Sequence, residues 1–364
     1  MKRILHISTV HPSHDNRIHY KECRSLSTED YDLKLLLQVE KDGMLDGLDH
    51  IKLGPFSGRL NRFVKGSWEV WSKVRKLKPA LIHFHDPELM FVAVCIRLLG
   101  VKVVYDVHED LPKQLLYKKW IPKIVRYPLS GLVRILEAFC SSFFQAIVVA
   151  TEDIAQKFPE SKTVVLRNFP LIDLELEPSK HLPREELNLI YAGGLTKVRG
   201  IAELIEALGQ VKSEVRLTLI GKWSSEEYRL HCESFVGYSK VDYLGFMTMK
   251  EVYEHIANAD VGIGTLKPIR NYLTSLPVKA FEYMLQGKPM ILSNFDYWQH
   301  MFWGTAHFVD PNRPEEIAHA IDALASDPEK RRSMGEVGFA KVRDEYNWEV
   351  ESQKLLDLYK RLLP

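Results

Sequence analysis

The chain has 364 residues, 46% hydrophobic and 27% charged, with 49 basic against 48 acidic side chains. That is the make-up of an ordinary soluble protein long enough for two cores, and a net charge of +1 excludes a nucleic-acid binder with a globally basic surface. Cys23, Cys95, Cys140 and Cys232 are scattered and form no CxxC pair, so neither a disulfide framework nor a cysteine zinc site is expected, and a reducing compartment is.

The N-terminus, MKRILHIST, lacks the apolar region of a signal peptide. No uninterrupted apolar run reaches the 18 residues of a spanning helix. A cytoplasmic protein is expected.

Short Val- and Ile-rich runs alternate with helical patterns along the whole chain. In the first half the expected strands are Arg3–Ser8, Leu33–Gln38, Leu81–Phe84, Lys102–Asp106, Ala146–Ala150 and Thr163–Leu166. In the second they are Leu187–Ala192, Arg216–Ile220, Val241–Leu244, Val261–Gly264, Pro289–Ser293 and His307–Val309. Buried strands alternating with helices predict α/β architecture with parallel sheets covered on both faces. The stretch 171–186 is rich in proline and charge and reads as a linker. The expected organisation is a domain over 1–170, the linker 171–186, a domain over 187–345, and an amphipathic helix over 346–364 packing across both.

In open parallel sheets ligands collect beyond the carboxyl ends of strands. The first strand is followed by Asp15, Asn16 and Arg17, which read equally as a helix cap or as part of a site. The third leads to His85, Asp86 and Glu88, the fourth to Asp106, His108, Glu109 and Asp110. Histidines and carboxylates crowded at successive strand ends point to a polar site. In the second half, YAGGLTKVRGI places Gly193, Gly194, Lys197 and Arg199 at a helix start, where glycines and cations suit a phosphate. No GxGxxG follows a predicted strand and no GxxxxGK[ST] exists, so dinucleotide and P-loop readings lose their support. SLPVKAFEYMLQGKP predicts a helix over Pro277–Gln286, stopped by Gly287, with the first-turn amides of Val278 and Lys279 open to an anion. Lys279 and Glu282 are spaced i, i+3. They form either a surface ion pair of little worth or a carboxylate placed to hold a vicinal diol.

Taken together, DNRIHYKE, HFHDPEL, NFP, YAGGLTKVRGI and ADVGIGTLKPIRNYLTSLPVKAFEYMLQGKP, in that order, resemble glycosyltransferase family 4 over nearly the whole chain. The resemblance implies a GT-B fold, two Rossmann-like domains facing across a cleft. It implies retaining transfer of a hexose from a nucleotide-sugar donor, with no metal and no cofactor. Carried over, Glu282 holds the donor ribose, and the family's first motif glutamate falls at Thr274, where Thr274 or Ser275 substitutes only in part. Arg199 keeps a phosphate cation, and Gly194 stands where the family has another, which Lys197 or Lys279 replaces. His108 matches the histidine near the transferring carbon. The catalytic residues implied are His108, Arg199 and Glu282. The donor site is Gly193, Gly194, Lys197, Arg199, Thr274, Ser275, Val278, Lys279 and Glu282. The acceptor side is Asp15, Arg17, Asp86 and Glu109.

Residues 58–79 carry seven basic side chains, one acidic and two tryptophans, and residues 111–135 interleave basic with aromatic and aliphatic residues. Such segments suit the surface of an anionic bilayer or are ordinary helices with a solvated basic side. With the membrane reading, the protein lies at the inner face of the membrane and its acceptor is a saccharide or polyprenol-linked saccharide of surface polysaccharide or glycolipid synthesis. The rival readings are a GT-B nucleotide-sugar epimerase and a non-catalytic sugar-nucleotide-binding partner; no nucleic-acid partner is expected.

Overall fold

A computed structural model of the chain describes residues 1–118, 121–172 and 186–364. Most of the linker expected over 171–186 lies outside the described residues. The chain divides into two compact units: Met1–Asn168 with Trp348–Pro364, and Phe169–Asn347.

The first unit holds β1 (Lys2–Ile7), β2 (Tyr31–Leu37), β3 (Gly43–Leu45), β4 (Leu48–Lys52), β5 (Leu81–Phe84), β6 (Lys102–Val107), β7 (Ala146–Val149) and β8 (Thr163–Val165). They form one sheet in the order β3-β4-β2-β1-β5-β6-β7-β8. Every pairing is parallel except the β3–β4 hairpin. That hairpin was not expected from the sequence: GMLDGLDHI is too polar to read as buried strand. The second unit holds β9 (Leu187–Ala192), β10 (Val215–Ile220), β11 (Val241–Gly245), β12 (Val261–Gly264), β13 (Met290–Ser293) and β14 (Ala306–Val309). These run in the order β11-β10-β9-β12-β13-β14, all parallel. The expected strands are all present within two residues of their predicted ends.

Each sheet is covered on both faces, and side-chain alternation assigns the residues. In the first unit Leu5, Ile7, Ile82, Phe84, Val103 and Tyr105 fill one core layer. Ile4, Leu81 and Val104 fill the other, with Trp348, Leu355, Leu358 and Tyr359 of the helix Trp348–Leu362. The C-terminal helix, expected to pack across both halves, is thus part of the first unit. Alternation also brings His6, His83 and Asp106 to that second layer.

Strand order reverses between β1 and β5 in the first sheet and between β9 and β12 in the second. These switch points leave a crevice beyond the strand ends, where ligands of open α/β sheets bind. In the second unit the helix Val278–Leu285 covers the sheet there. Its Tyr283 ring fills the space above Gly262 of β12, where a Cβ would come within 2.3 Å of the ring. Tyr283 donates to the Ile190 and Ile263 carbonyls at 3.4 and 3.3 Å. The helix ends in a Schellman motif: Lys288 N–H donates to Tyr283 O and Gly287 N–H to Met284 O, both 2.9 Å, with Gly287 at φ 64°. Gly262→Ala is therefore expected to destabilise the protein by about 1–3 kcal/mol, measured by denaturant unfolding. An unchanged midpoint would show that the helix does not depend on this close approach.

Candidate functional site

In the first unit the ends of β1, β5 and β6 converge on a cavity of about 640 Å³. One wall is polar, with His11, His85, Asp86, Asp106, His108 and Glu109; the other is apolar, with Phe63, Met90, Phe91, Leu115 and Leu136.

Two histidine–carboxylate pairs share the polar wall. Asp86, 2% exposed, accepts from Thr9 N at 2.5 Å and lies 3.4 Å from His11 Nδ1. Its carboxyl is held below the usual range: burial opposes this, and the His11 and Thr9 hydrogen bonds outweigh it. His11 is correspondingly raised; burial works against it and Asp86 overcomes that. In the second pair, His108 Nε2 donates to Asp106 Oδ2 at 2.9 Å. The His11 and His108 ring centres are 5.1 Å apart.

Behind this wall lies a buried polar layer. Arg17, 5% exposed, donates from Nη2 to Asp106 Oδ1 at 2.9 Å, from Nε to Asp106 Oδ2 at 3.1 Å, and from Nη1 to Leu166 O at 2.9 Å. Its Nε is also 2.9 Å from Glu22 Oε1. Burial would raise the Asp106 carboxyl, yet Arg17 and the neighbouring imidazoles hold it well below the usual range. Glu22 is pushed up, by burial first and by Asp106 next. From Asp106 a hydrogen-bonded chain runs inward through His85 (3.2 Å), His6 (3.1 Å) and Tyr359 Oη (3.0 Å) to His83 (2.8 Å). Burial lowers all three imidazoles, His85 to about 4, so they are neutral near pH 7. Glu22, His83, His85 and Asp106 place donor atoms within 4.8 Å of one another, close enough for a metal ion. The Arg17 guanidinium, lying on both carboxylates, already supplies the positive charge such an ion would bring.

Of the expected acceptor residues, Asp86 and Glu109 line the cavity; Glu109 is exposed and accepts from Gln114. Arg17 does not reach out to a ligand, because its hydrogen bonds are spent inside the fold. Asp15 acts as a cap: its Oδ1 accepts from the Arg17 and Ile18 amides, both at 2.9 Å. The element it opens is a π-helix, Ile18–Cys23. His11 escaped sequence reasoning, although its place three residues beyond a strand end was a usable signal.

In the second unit the end of β9 meets the start of the helix Val278–Leu285. A Cβ on Gly193 would lie 2.5 Å from Lys279 Cε and 3.1 Å from its Nζ, so only glycine lets that ammonium rest on the loop. Tyr191 donates to Gly194 O at 3.1 Å and steadies the turn. Arg199 stacks on Tyr272, 5.1 Å from the ring centre. The Lys279 ammonium is lowered by burial; Glu282 opposes that shift, and Arg199 adds to it. Glu282 is 7% exposed, deeper than a surface ion pair requires. Pro277 stands at the N-cap rather than inside the helix, and no side chain caps Val278 and Lys279. Ser275 is anchored by its carbonyl, which accepts from Trp298 Nε1 at 2.8 Å, and Thr274 is exposed. Lys197 is set apart from this group. It lines a different cavity, with its ammonium 5.9 Å above the Tyr228 ring, so Lys279 is the second cation beside Arg199.

Two family models match the chain: "Glycosyltransferase Family 4" over residues 23–168 and "Glycosyl transferases group 1" over residues 174–341. The chain belongs to the group 1, family 4 glycosyltransferases. An uncharacterized glycosyltransferase of Methanocaldococcus jannaschii is 25% identical over 186 residues, 48% of this chain and 45% of that protein. Spore coat protein SA of Bacillus subtilis is 23% identical over 238 residues, 58% of this chain and 62% of that protein. The match thus spans about half of the first relative and under two thirds of the second. Among solved structures, sucrose-phosphate synthase of Thermosynechococcus elongatus superposes with a TM-score of 0.77 at 18% identity, covering 100% of this chain and 99% of the other. Anabaena HepE in complex with UDP and glucose gives 0.70 at 15%, covering 99% and 100%. At these identities the likeness is one of fold, GT-B.

The pairing of His11 with Asp86 has a pH signature. Asp86, with its depressed value, stabilises the fold above about pH 4 and stops doing so as acid passes its folded value. His11, with its raised value, stabilises below about pH 6.5 and stops as pH rises through its folded value. Both contributions coexist between about pH 4 and 6.5. In Asp86→Asn the His11 titration, followed by NMR of the ring, is expected to move down. An unmoved titration would refute the pairing.

Proposed function

We propose that the protein is a retaining hexosyltransferase that moves a sugar from a nucleotide-sugar to a saccharide or lipid-linked saccharide in surface-polysaccharide or glycolipid synthesis, with no metal ion or cofactor taking part in the transfer. The observation that carries this reading is the group formed by Gly193, Arg199, Lys279 and the uncapped start of the helix that bears Glu282. As the glycosidic bond breaks, negative charge grows on the departing diphosphate. Arg199, Lys279 and the amides of Val278 and Lys279 lie where they can stabilise it, the role a divalent cation has in other transferases. Glu282, one turn further in, would accept from the ribose hydroxyls. HepE, of like fold, has been solved with UDP and with UDP-glucose, which favours a uridine donor as the first to try.

In the first unit, the amphipathic cavity suits an acceptor with both hydroxyls and an apolar part. His108, fixed by Asp106, and His11, fixed by Asp86, face that space as orienting groups. The helix Lys123–Ser142 supports membrane contact. Its inward face holds Glu137, bonded to Tyr105 Oη (3.3 Å) and Lys157 (3.2 Å), while Ile124, Tyr127, Leu132, Ile135 and Phe139 are exposed. Lys123 and Arg134 are exposed beside them, so this outer face offers both charge and apolar area. Leu60, Phe63, Val64 and Trp68 extend the exposed apolar surface in the other basic segment. Among the described residues no helix is long and apolar enough to cross a membrane, so the contact would be interfacial.

In a thermal-shift screen of UDP-, GDP-, ADP- and dTDP-sugars, the matching donor at about 100 times its dissociation constant should stabilise by about 2.7 kcal/mol. Glu282→Ala should abolish that shift, and Arg199→Ala or Lys279→Ala should cut turnover by about 100–1,000-fold. Stabilisation by no sugar nucleotide would sink the reading. Conversion of donor without acceptor would indicate an epimerase, and donor binding without turnover a non-catalytic partner. Membrane contact is read by flotation. The protein should rise with phosphatidylglycerol vesicles at low salt, and both high salt and Ile135→Glu should weaken this; equal partition with phosphatidylcholine vesicles would count against it.

A further inference from the structure

A line of buried imidazoles runs behind the cavity wall. His6, on β1, and His83, on β5, are 0% exposed, and His85, just past β5, is 3% exposed. Burial keeps all three neutral near pH 7. A neutral imidazole has one N–H and one bare nitrogen, so each ring in the line donates on one side and accepts on the other.

Asp106 decides which way. Held ionised by Arg17, it can only accept, so His85 Nδ1, 3.2 Å from its Oδ2, carries the proton. His85 Nε2 is then bare and accepts from His6 Nδ1–H at 3.1 Å. His6 Nε2 is bare in turn and accepts from the Tyr359 hydroxyl at 3.0 Å. The Tyr359 oxygen accepts from His83 Nδ1–H at 2.8 Å. The last nitrogen, His83 Nε2, is left bare, and among the described residues it has no partner. Every N–H and O–H of the line thus points toward one carboxylate oxygen, and each bond strengthens the next.

The same order confines His108. Its Nε2 lies 2.9 Å from Asp106 Oδ2 and 3.3 Å from His85 Nδ1. Were His85 reversed, its Nδ1 would accept from His108 and draw that ring inward. With a proton on His85 Nδ1 the two N–H groups repel, and Asp106 is the partner left. His108 is then protonated at Nε2, and Nδ1 is the acceptor of a ring that lines the cavity.

We propose that His85, His6 and Tyr359 are positioning residues for sugar transfer: their one-way hydrogen-bond line holds His108 with a bare Nδ1, which accepts from a substrate hydroxyl. Through Tyr359 the C-terminal helix takes part in the site. The proposal rests on the reading of this cavity as the place of transfer.

The tautomers are read without substrate, by nitrogen–proton NMR of the full chain labelled in its histidines. His6, His83 and His85 should be protonated at Nδ1 and His108 at Nε2; the opposite form at any of the four overturns the proposal. Turnover is read with the sugar nucleotide that thermal shift selects. His85→Leu should lower kcat on the order of 100-fold with the donor KM unchanged, and His85→Asn, which keeps an N–H against Asp106, should restore most of it. Tyr359→Phe, which removes one hydroxyl from the line, should lower kcat by about 2–10-fold, the worth of one hydrogen bond. Equal loss in His85→Leu and His85→Asn, or wild-type kcat in Tyr359→Phe, overturns the positioning role. The expected tautomers in a protein that turns over no sugar nucleotide would leave the line standing and remove transfer as its purpose.

Discussion

The bidentate bond between Arg17 and Asp106 sets the terms for the rest of the first unit. A carboxylate at 0% exposure would ordinarily take up a proton. A guanidinium at 2.9 and 3.1 Å keeps it ionised. Once ionised it can accept only, so it orients every N–H around it: His85 on the inner side and His108 on the cavity side. Arg17 also bonds the carbonyl of Leu166 beyond β8, so one side chain ties the loop after β1 to two further strands. Removing one partner of such a pair leaves a buried charge and typically costs about 3–5 kcal/mol. Apolar replacement of both partners of such a pair is often neutral for stability, but here His108 would lose the group that fixes its ring.

The second unit reaches a comparable rigidity through the backbone. Its switch point is shaped by the absence of side chains, at Gly193 for the Lys279 ammonium and at Gly262 for the Tyr283 ring. The helix Val278–Leu285 is locked at its base by Tyr283 and at its end by Gly287. Its first turn is therefore held in place while its amides stay open. A rigid support beneath an uncapped helix start is what preorganised binding of an anion requires.

The strands were legible because Val- and Ile-rich runs bounded by polar residues leave little choice of period. The same clarity fixed the strand ends, and with them the places of Asp86, His108 and Gly193, while Pro277 and Gly287 marked the helix that carries Glu282. What was not legible depends on distant partners. Arg17 was expected on the acceptor side because nothing near it in sequence reveals Asp106, 89 positions away. Lys197 and Arg199 looked equivalent, and only the packing of Tyr228 and Tyr272 separates them. The β3–β4 hairpin was hidden by its polarity, although Asp46–Gly47 is the tight-turn pair that marks a two-residue hairpin. His83 and His85, two apart at the end of β5, were a readable sign of a polar layer on one sheet face.

The two units treat charge in opposite ways, and the contrast bears on what each can bind. In the first, the buried Arg17 is consumed internally by Asp106 and Glu22, the buried Lys21 donates to Asn168, and the histidines behind the cavity wall are kept neutral by burial. What remains at the surface of the cavity is a set of oriented imidazoles and carboxylates beside an apolar wall, which suits hydroxyl groups better than phosphates. In the second, Arg199 and Lys279 sit half-buried, close enough for Arg199 to work against the Lys279 charge. Two cations brought together at a helix N-terminus repel one another and the helix dipole alike. Local stability gives no reason for that arrangement, whereas a bound diphosphate relieves both repulsions at once.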